Sequence, residues 1–435
     1  MKKFTLFFTA LFIVAFGVKG QEEPSINVST KWQFCTDDGN LPAYIGTGNN
    51  CRGMALGVFN GEKVLAVVTR EGGNQILLLD PSDGSQMSSV NVPSEIVTGG
   101  NFAINDAAIT DDGIMLVCNT QVGAGAFKVY QWDNETDDPT IVINYATVAG
   151  ERYGDTFTVT GSINNGTAKV YASNGSGAGK ILCWSMIENT DSPGSYIFDP
   201  TPANFSTAIQ AITVGVGSNI DFLPDGSFLH RSTRNDISRI SSDGTTLLSS
   251  IPDAVVPSDV GMSVRYIVTG ADLTSYITYF VASPGNQSCR IFAVGEDWDL
   301  DAITDPVAST PSFASSGDVN VNRTGKIVPE VDGGKVYIYV LGTNSGIAKY
   351  EITGIELATG IKEAVNDNLD INVSGSILSV TGIVSPSITL YDISGQKIKS
   401  VANANQLQVE GLKGIYIVRV TQGNATVKTE KVFIK

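Results

Sequence analysis

One turn keeps returning along this chain. Asn60-Gly61 stands before the run KVLAVVTR, Asp112-Gly113 before IMLVCNT, Asn165-Gly166 before TAKVYAS, Asp225-Gly226 before SFLHRST and Asp332-Gly333 before GKVYIYVLG. Tight hairpins need positive φ at their centre, which Gly supplies without steric cost and Asn or Asp tolerate, so each dipeptide predicts a turn between two antiparallel strands. The five glycines are 52, 53, 60 and 107 residues apart, the last interval being about two periods of the same length. The segment Gly270 to Ser275, ahead of YITYFVAS, fills the gap as a degenerate turn and brings the count to six units of roughly 50 residues.

Each unit carries a further apolar strand: NQILLLD from Asn74, AFKVYQWD from Ala126, GKILCWSM from Gly179, NDISRIS from Asn235, SCRIFAV from Ser288 and GIAKYEI from Gly346. Val, Ile, Tyr and Thr dominate these runs and helical periodicity is almost absent, so the chain reads as all-β. Four strands per unit, six times over, predict a six-bladed β-propeller. Two stacked sandwich domains would match the strand content but not the long period. The strand-like segment Ser25 to Phe34 has no unit of its own; it is expected to close the ring as the outer strand of the last blade, protecting a sheet edge.

Only 17% of the residues are charged and 42% are hydrophobic, with 46 Gly, which excludes a charged disordered chain and a helical bundle. The formal net charge of −16 repels phosphate backbones, so no nucleic-acid partner is expected. Lys2 and Lys3 precede an apolar run from Phe4 to Val18 that ends at Gly20, the pattern of a secretory signal peptide over residues 1–20. The run is shorter than the roughly 20 residues a bilayer needs, so no transmembrane segment is expected in the mature chain. His230 is the only histidine, which rules out a multi-histidine metal cage. It falls on the second strand of a blade, away from the channel. The five cysteines are too scattered for a disulfide framework; Cys118 and Cys183 read as buried hydrophobes, and a bridge between Cys35 and Cys51 is conceivable after export.

Near Ile361 the period stops, and a strand-rich tail begins, so the chain divides into a propeller at 21–358 and a small immunoglobulin-like β-sandwich at 359–435. The tail from Ile355 is nearly neutral, placing the acidity on the propeller. Within it, ITLYDISGQKI, then GLKGIYIVRVTQG, then a terminal KVFIK resemble the C-terminal sorting domain of the Bacteroidota type IX (Por) secretion system. Tyr391, Asp392, Gly395, Gln396, Leu412, Gly414, Tyr416, Lys431 and Lys435 carry the likeness. The resemblance implies handling by that secretion machinery and a secreted or outer-membrane-surface location, or a periplasmic one in a host without the machinery. The preceding portion, opening on Trp32, Leu41-Pro42 and Arg52-Gly53, resembles uncharacterised secreted propeller families of the same bacteria. No chemistry transfers from such families.

Propeller geometry would place a site in the central channel, where the innermost strands converge. The segments RGMALG, INDAAIT, GDTFTVTG, SNIDFLP, SVRYIVTG and GDVNVNRTG are read as those strands, and they offer Arg52, Asp106, Asp155, Asp221, Arg265, Asp318 and Asn320. Carboxylates and amide oxygens around an axis could hold Ca²⁺, while Arg52 and Arg265 could clamp a carboxylate such as a sugar acid. Asp297, Asp299 and Asp301 have the spacing that opens a calcium loop, yet Ala302 and Ala308 stand where an EF-hand needs Gly and Glu, so solvated turn residues are the ordinary reading. Trp132, Trp184 and Trp298 could stack on sugar rings, although two of them sit in apolar strands. The sequence therefore points to a secreted or surface-displayed propeller binding a glycan or protein. The alternative is a Ca²⁺-dependent hydrolase or lactonase.

Overall fold

Alternation of period two runs through the middle strands, and both of its phases are apolar. In the run from Val64 to Val68, Val64, Ala66 and Val68 pack on one side, while Leu65 and Val67 pack on the other, and all five are buried. Such a strand must be covered on both faces, so its sheet has to lie between two others. The computed structural model describes residues 25–176, 180–204, 216–232, 235–252, 254–256, 263–270, 273–283, 285–295, 297–315, 320, 323–357, 369–384, 386–392, 397–422 and 425–434. The leader at 1–20, Asp318, Gly395, Gln396, Lys435 and the 358/359 boundary lie outside them.

The described residues form an all-β chain with no α-helix. After β1 (Asn27–Cys35), a first antiparallel sheet joins β2 (Gly53–Phe59), β3 (Glu62–Thr69), β4 (Gln75–Leu79) and β5 (Gln86–Ser89). The second holds β6 (Phe102–Ile109), β7 (Met115–Val122), β8 (Gly125–Trp132), β9 (Thr140–Thr147) and a short β10 (Arg152–Tyr153). The third holds β11 (Thr158–Thr160), β12 (Lys169–Ser173), β13 (Ile181–Glu188), β14 (Tyr196–Phe198) and β15 (Ala203–Asn204). The fourth runs β16 (Asn219–Phe222), β17 (Phe228–Arg231), β18 (Ser238–Ile240), β19 (Leu247–Ser250). The fifth runs β20 (Val264–Thr269), β21 (Ser275–Ser283), β22 (Asn286–Val294), β23 (Ala308–Ser309). In the sixth, β24 (Gly325–Asp332), β25 (Lys335–Gly342) and β26 (Gly346–Thr353) are followed in space by β1, which pairs antiparallel with β26 from Asn27↔Thr353 to Cys35↔Gly346.

All six turns picked out in the sequence fall between the first and second strands of a sheet. Phe59 pairs with Glu62 around Asn60 (φ 52°) and Gly61 (φ 81°), a two-residue turn with both centres left-handed. The last turn shifts by one: Asp332 pairs with Lys335, so the left-handed pair is Gly333-Gly334 rather than Asp332-Gly333.

Six apolar cores lie between successive sheets. The first and second sheets share Ala66, Ile104 and Tyr130; the second and third share Leu116, Phe127 and Trp184; the third and fourth share Ile181 and Phe228. The fourth and fifth share Leu229 and Phe292, and the fifth and sixth share Phe280 and Ile338. The sixth and first share Leu341, Ile347, Met54 and Leu77. Trp32 of β1 packs in that last core, its Nε1 donating to Pro81 O at 3.2 Å.

The five cysteines are buried and unpaired. The conceivable Cys35–Cys51 bridge is absent because Cys35 belongs to the core between the fifth and sixth sheets and Cys51 to the one between the sixth and first. In the tail, β27 (Asp370–Ser374), β28 (Ile377–Thr381) and β31 (Gln406–Gln408) form one sheet. A second sheet takes β29 (Ser387–Tyr391), β30 (Lys397–Val401), β32 (Gly414–Gln422) and β33 (Ala425–Ile434), and both share one core around Leu378, Ile388 and Val418.

Candidate functional site

The first strand of each sheet touches the first strand of the next, and β24 touches β2. Gly53 permits one of these approaches: a Cβ there would lie 2.6 Å from the Asn105 carbonyl oxygen and the Asp106 Cα. Where the first strands begin, a small, partly open cavity is lined by Arg52, Asp106, Asp155, Thr156, Asn219, Ser263, Thr324 and Lys326, with Gly217 and Gly325 between them. Every one of the six sheets contributes to its wall, through a first strand or the segment leading into it.

Two of the carboxylates in or beside the cavity are held by close cations. Lys326 Nζ donates to Asp106 Oδ2 at 2.5 Å and to Thr156 Oγ1 at 3.2 Å, while Thr156 Oγ1 donates to the same Asp106 oxygen at 2.7 Å. The β6–β7 ladder is irregular between Phe102 and Asp106, which frees the Asp106 side chain from a regular pleat. Burial pushes the Lys326 ammonium below its ordinary range, with Asp106 opposing that effect. Arg152 grips Asp155 through Nε and Nη2, both at 2.6 Å. Arg265 lies 3.5 Å from the third, Asp221, whose carboxyl is pushed up by removal from water against the pull of that guanidinium. Arg265 also donates to Asn219 Oδ1 (2.9 Å), Ile220 O (3.1 Å) and Ile327 O (3.2 Å), which ties the fourth, fifth and sixth sheets together.

Arg52 differs from these cations. Its Nε donates to Asn49 O at 2.9 Å, and neither Nη1 nor Nη2 has a hydrogen bond or salt bridge. Desolvation lowers its pKa, and Arg152 adds to the effect while Asp155 opposes it. Arg70 stacks on the same Phe102 ring, 4.0 Å against 5.7 Å for Arg52, and hydrogen-bonds only neutral groups at Ile104, Asn105 and Asn49. Burial, then repulsion from Arg52, brings Arg70 down to about 10.

Of the residues proposed from sequence, Arg52, Asp106 and Asp155 line the cavity, and Asp221 and Arg265 stand beside it as an ion pair. Asn320 is buried but absent from the wall, bonded to Gln287 Oε1 (3.3 Å) and to Thr324. Sequence reasoning missed Lys326, Arg152, Thr156, Asn219 and Ser263. It placed the sixth innermost strand at GDVNVNRTG, whereas the strand is β24, one segment later.

Arg265 does not reach out as a second clamp, because its donors serve backbone and Asn219. Asp106, Asp155 and Asp221 do not assemble into a calcium cage, since each faces its own cation. Among the described residues no group of three or more His, Cys, Asp or Glu is placed to hold a metal ion. Asp297, Asp299 and Asp301 instead cap backbone N–H groups of Asp299 (3.4 Å), Asp301 (3.1 Å) and Ser250 (3.1 Å). Trp132, Trp184 and Trp298 are all buried, which removes them as sugar platforms. His230 sits on β17, fully buried, its Nε2 2.7 Å from Ser218 Oγ. In the tail, Arg419 lies over the Tyr391 ring at 4.9 Å, Asp392 follows at the end of β29, and Leu412 and Tyr416 pack on the tail core. Gly414 opens β32 with φ 114°, and Lys431 is exposed on β33.

Residues 21–244, more than half of the chain, match the family described as a domain of unknown function, DUF4623. The chain belongs to the DUF4623 family. A crystal structure of a DUF4623 family protein from Bacteroides eggerthii DSM 20697 is 19% identical over 76% of each chain, with a TM-score of 0.54. The WD40 β-propeller domain of Doa1 is similar at 13% identity, covering 69% of this chain and 78% of that one, TM-score 0.40. PorZ, a surface component of the type IX secretion system of Porphyromonas gingivalis, is 14% identical over 88% of this chain and 51% of its own, TM-score 0.33. No curated protein matches the chain. Residues 365–435 match the secretion system C-terminal sorting domain, which marks this DUF4623 protein for handling by secretion machinery and delivery to the cell surface or beyond. No helix among the described residues is long and apolar enough to cross a membrane.

Proposed function

We propose that this DUF4623 protein is a secreted or surface-displayed six-bladed β-propeller, closed by β1 and followed by a small immunoglobulin-like sandwich, that binds a carboxylate-bearing ligand such as an acidic sugar, whose carboxylate enters the open end of the cavity among its first strands. The cyclic order of the six shared cores and the β1–β26 pairing support the ring. The observation that carries the ligand reading is the Arg52 guanidinium, which faces the cavity with both Nη groups unpartnered.

Three cations stand against three carboxylates around the cavity, and Arg52 adds a charge that no acid there matches as closely. An anion entering would supply the missing counter-charge in a partly desolvated place, where charge-assisted hydrogen bonds are strongest. The two Nη groups form a planar fork that fits a carboxylate's two oxygens.

Calorimetric titration of the full chain with D-galacturonate and with D-galactose tests this reading. Galacturonate should bind and galactose should not, and Arg52→Gln should weaken galacturonate by roughly 10- to 100-fold, the worth of a charged hydrogen bond. Equal affinity of both proteins for the acid would refute it.

A further inference from the structure

Asn49 and Asn344 clasp each other where the sixth sheet meets the first. Asn344 lies in the loop of the β25–β26 hairpin, between the paired Gly342 and Gly346, and is 2% exposed. Asn49 belongs to the segment that joins β1 to β2. The Asn49 N–H donates to Asn344 Oδ1 at 2.8 Å, and Asn344 Nδ2 donates to Asn49 Oδ1 at 3.1 Å. Both amide orientations follow from the first bond, because a backbone N–H can only donate and so meets an oxygen. The backbone is left-handed at both residues, with φ of 59° and 62°, a region that bulky side chains avoid and Asn tolerates.

The clasp aims the Asn49 carbonyl. Its oxygen accepts from Arg52 Nε at 2.9 Å and from Arg70 Nη2 at 3.2 Å. The two guanidiniums also share the Phe102 ring, so two like charges are gathered at one place and gain from a common acceptor. Arg70 has other anchors, since its Nη1 donates to Ile104 O at 3.1 Å and to Asn105 Oδ1 at 2.9 Å. Arg52 has no acceptor but Asn49 O among the described residues. Its direction is therefore set by that one carbonyl, and spending Nε on the bond leaves the Nη edge free. If the carbonyl turns, the fork turns with it.

We infer that Asn344 is a positioning residue for the carboxylate site: it holds Asn49, whose carbonyl holds Arg52 with both Nη groups presented to a ligand. The inference rests on the carboxylate reading above and adds the residue that sets the direction of the fork. The contact between the sixth and first sheets and the ligand site then form one linked unit. A ligand seated on Arg52 strengthens the clasp by the same factor as the clasp strengthens the ligand.

Calorimetric titration of the full chain with D-galacturonate, run as a double-mutant cycle, is the test. Asn344→Gly removes both bonds of the clasp and keeps a residue at ease with positive φ. It should weaken galacturonate by roughly 3- to 10-fold, the worth of one neutral hydrogen bond. Added to Arg52→Gln, in which the fork is gone, the same substitution should cost less than about twofold more, because Asn344 acts only through Arg52. Asn49→Gly keeps the N–H bond to Asn344 Oδ1 and should fall between wild type and Asn344→Gly; it carries the cycle if Asn344→Gly does not fold. Wild-type affinity in Asn344→Gly, or losses that simply add in the double variant, overturns the inference while the Arg52 site stands. If galacturonate does not bind the wild type, the carboxylate reading falls and the positioning role falls with it.

Discussion

Lys326 of the sixth sheet and Asp106 of the second, 220 residues apart in the chain, meet as a buried ion pair in the wall of the cavity. Each is almost fully out of water, so either one alone would be an uncompensated charge in a poorly solvated place. Asp106→Asn should therefore lower the unfolding free energy by about 3–5 kcal/mol, and Lys326→Met combined with Asp106→Leu should recover most of it. Chemical denaturation of the single and the double variant checks this; a loss under about 1 kcal/mol for Asp106→Asn would mean the pair does not hold the sheets.

His230 gives the chain a pH response of known sign. Burial, helped by Arg231, lowers its pKa from 6.5 to about 4. Between those values the unfolded chain takes up a proton that the folded one refuses, so folding weakens as pH falls from about 6.5 to about 4 and levels off below. The contribution is about 3 kcal/mol at most. Comparing the pH dependence of unfolding for wild type and His230→Gln isolates it, since the other titrating groups are common to both. Parallel curves across that window would contradict the assignment.

Gly154 and Gly123 separate two kinds of glycine requirement. Both have positive φ, 84° and 75°, but a Cβ at 154 would lie 1.7 Å from the Asn119 carbonyl oxygen, while one at 123 meets nothing within 4 Å. Gly123→Ala should lose only about 1 kcal/mol for the left-handed backbone, whereas Gly154→Ala should lose several, because the β7 backbone must move. Thermal midpoints rank the two, and equal shifts would refute the crowding at 154.

The thiols should be silent in the native state. All five are buried, and burial raises Cys51 to about 12, so the thiolate is scarce at neutral pH. A thiol reagent at pH 8 should label none in the folded protein and all five after denaturation. Rapid labelling of the native chain would show an open core.

Much of the architecture was legible because its signals are local. A left-handed turn favours Gly or Asx whatever surrounds it, so Asn60-Gly61 and its equivalents marked five of the six first hairpins, while the fifth, from Gly270 to Ser275, turns with Leu273 at φ 69°. Gly333-Gly334 was read one residue early because Asp332 also suits such a turn, and only strand register distinguishes them. The sixth first strand was missed because Pro329 lies inside β24. Proline is tolerated there since β24 is a sheet edge, paired with β25 alone, and its missing N–H deprives no neighbour. That miss hid Lys326.

At the site, Arg52, Asp106, Asp155 and Asp221 stood out as polar residues in apolar strands. What each one meets was hidden, because partners such as Lys326 for Asp106 come from another sheet, and chain separation carries no record of it. The same limit explains the calcium and double-arginine expectations. Carboxylates near one axis look like a cage until each is seen to face its own cation, and Arg265 looks available until its backbone acceptors are seen. Asn344 carried no signal at all, since its clasp onto Asn49 exists only in three dimensions.

A crystal structure of the protein with D-galacturonate bound tests whether Arg52 holds a ligand carboxylate. The ligand carboxylate should lie in the cavity where the six first strands begin, its oxygens about 2.7–3.2 Å from Arg52 Nη1 and Nη2. A carboxylate bound elsewhere, with the Arg52 fork still empty at saturating ligand, would contradict it.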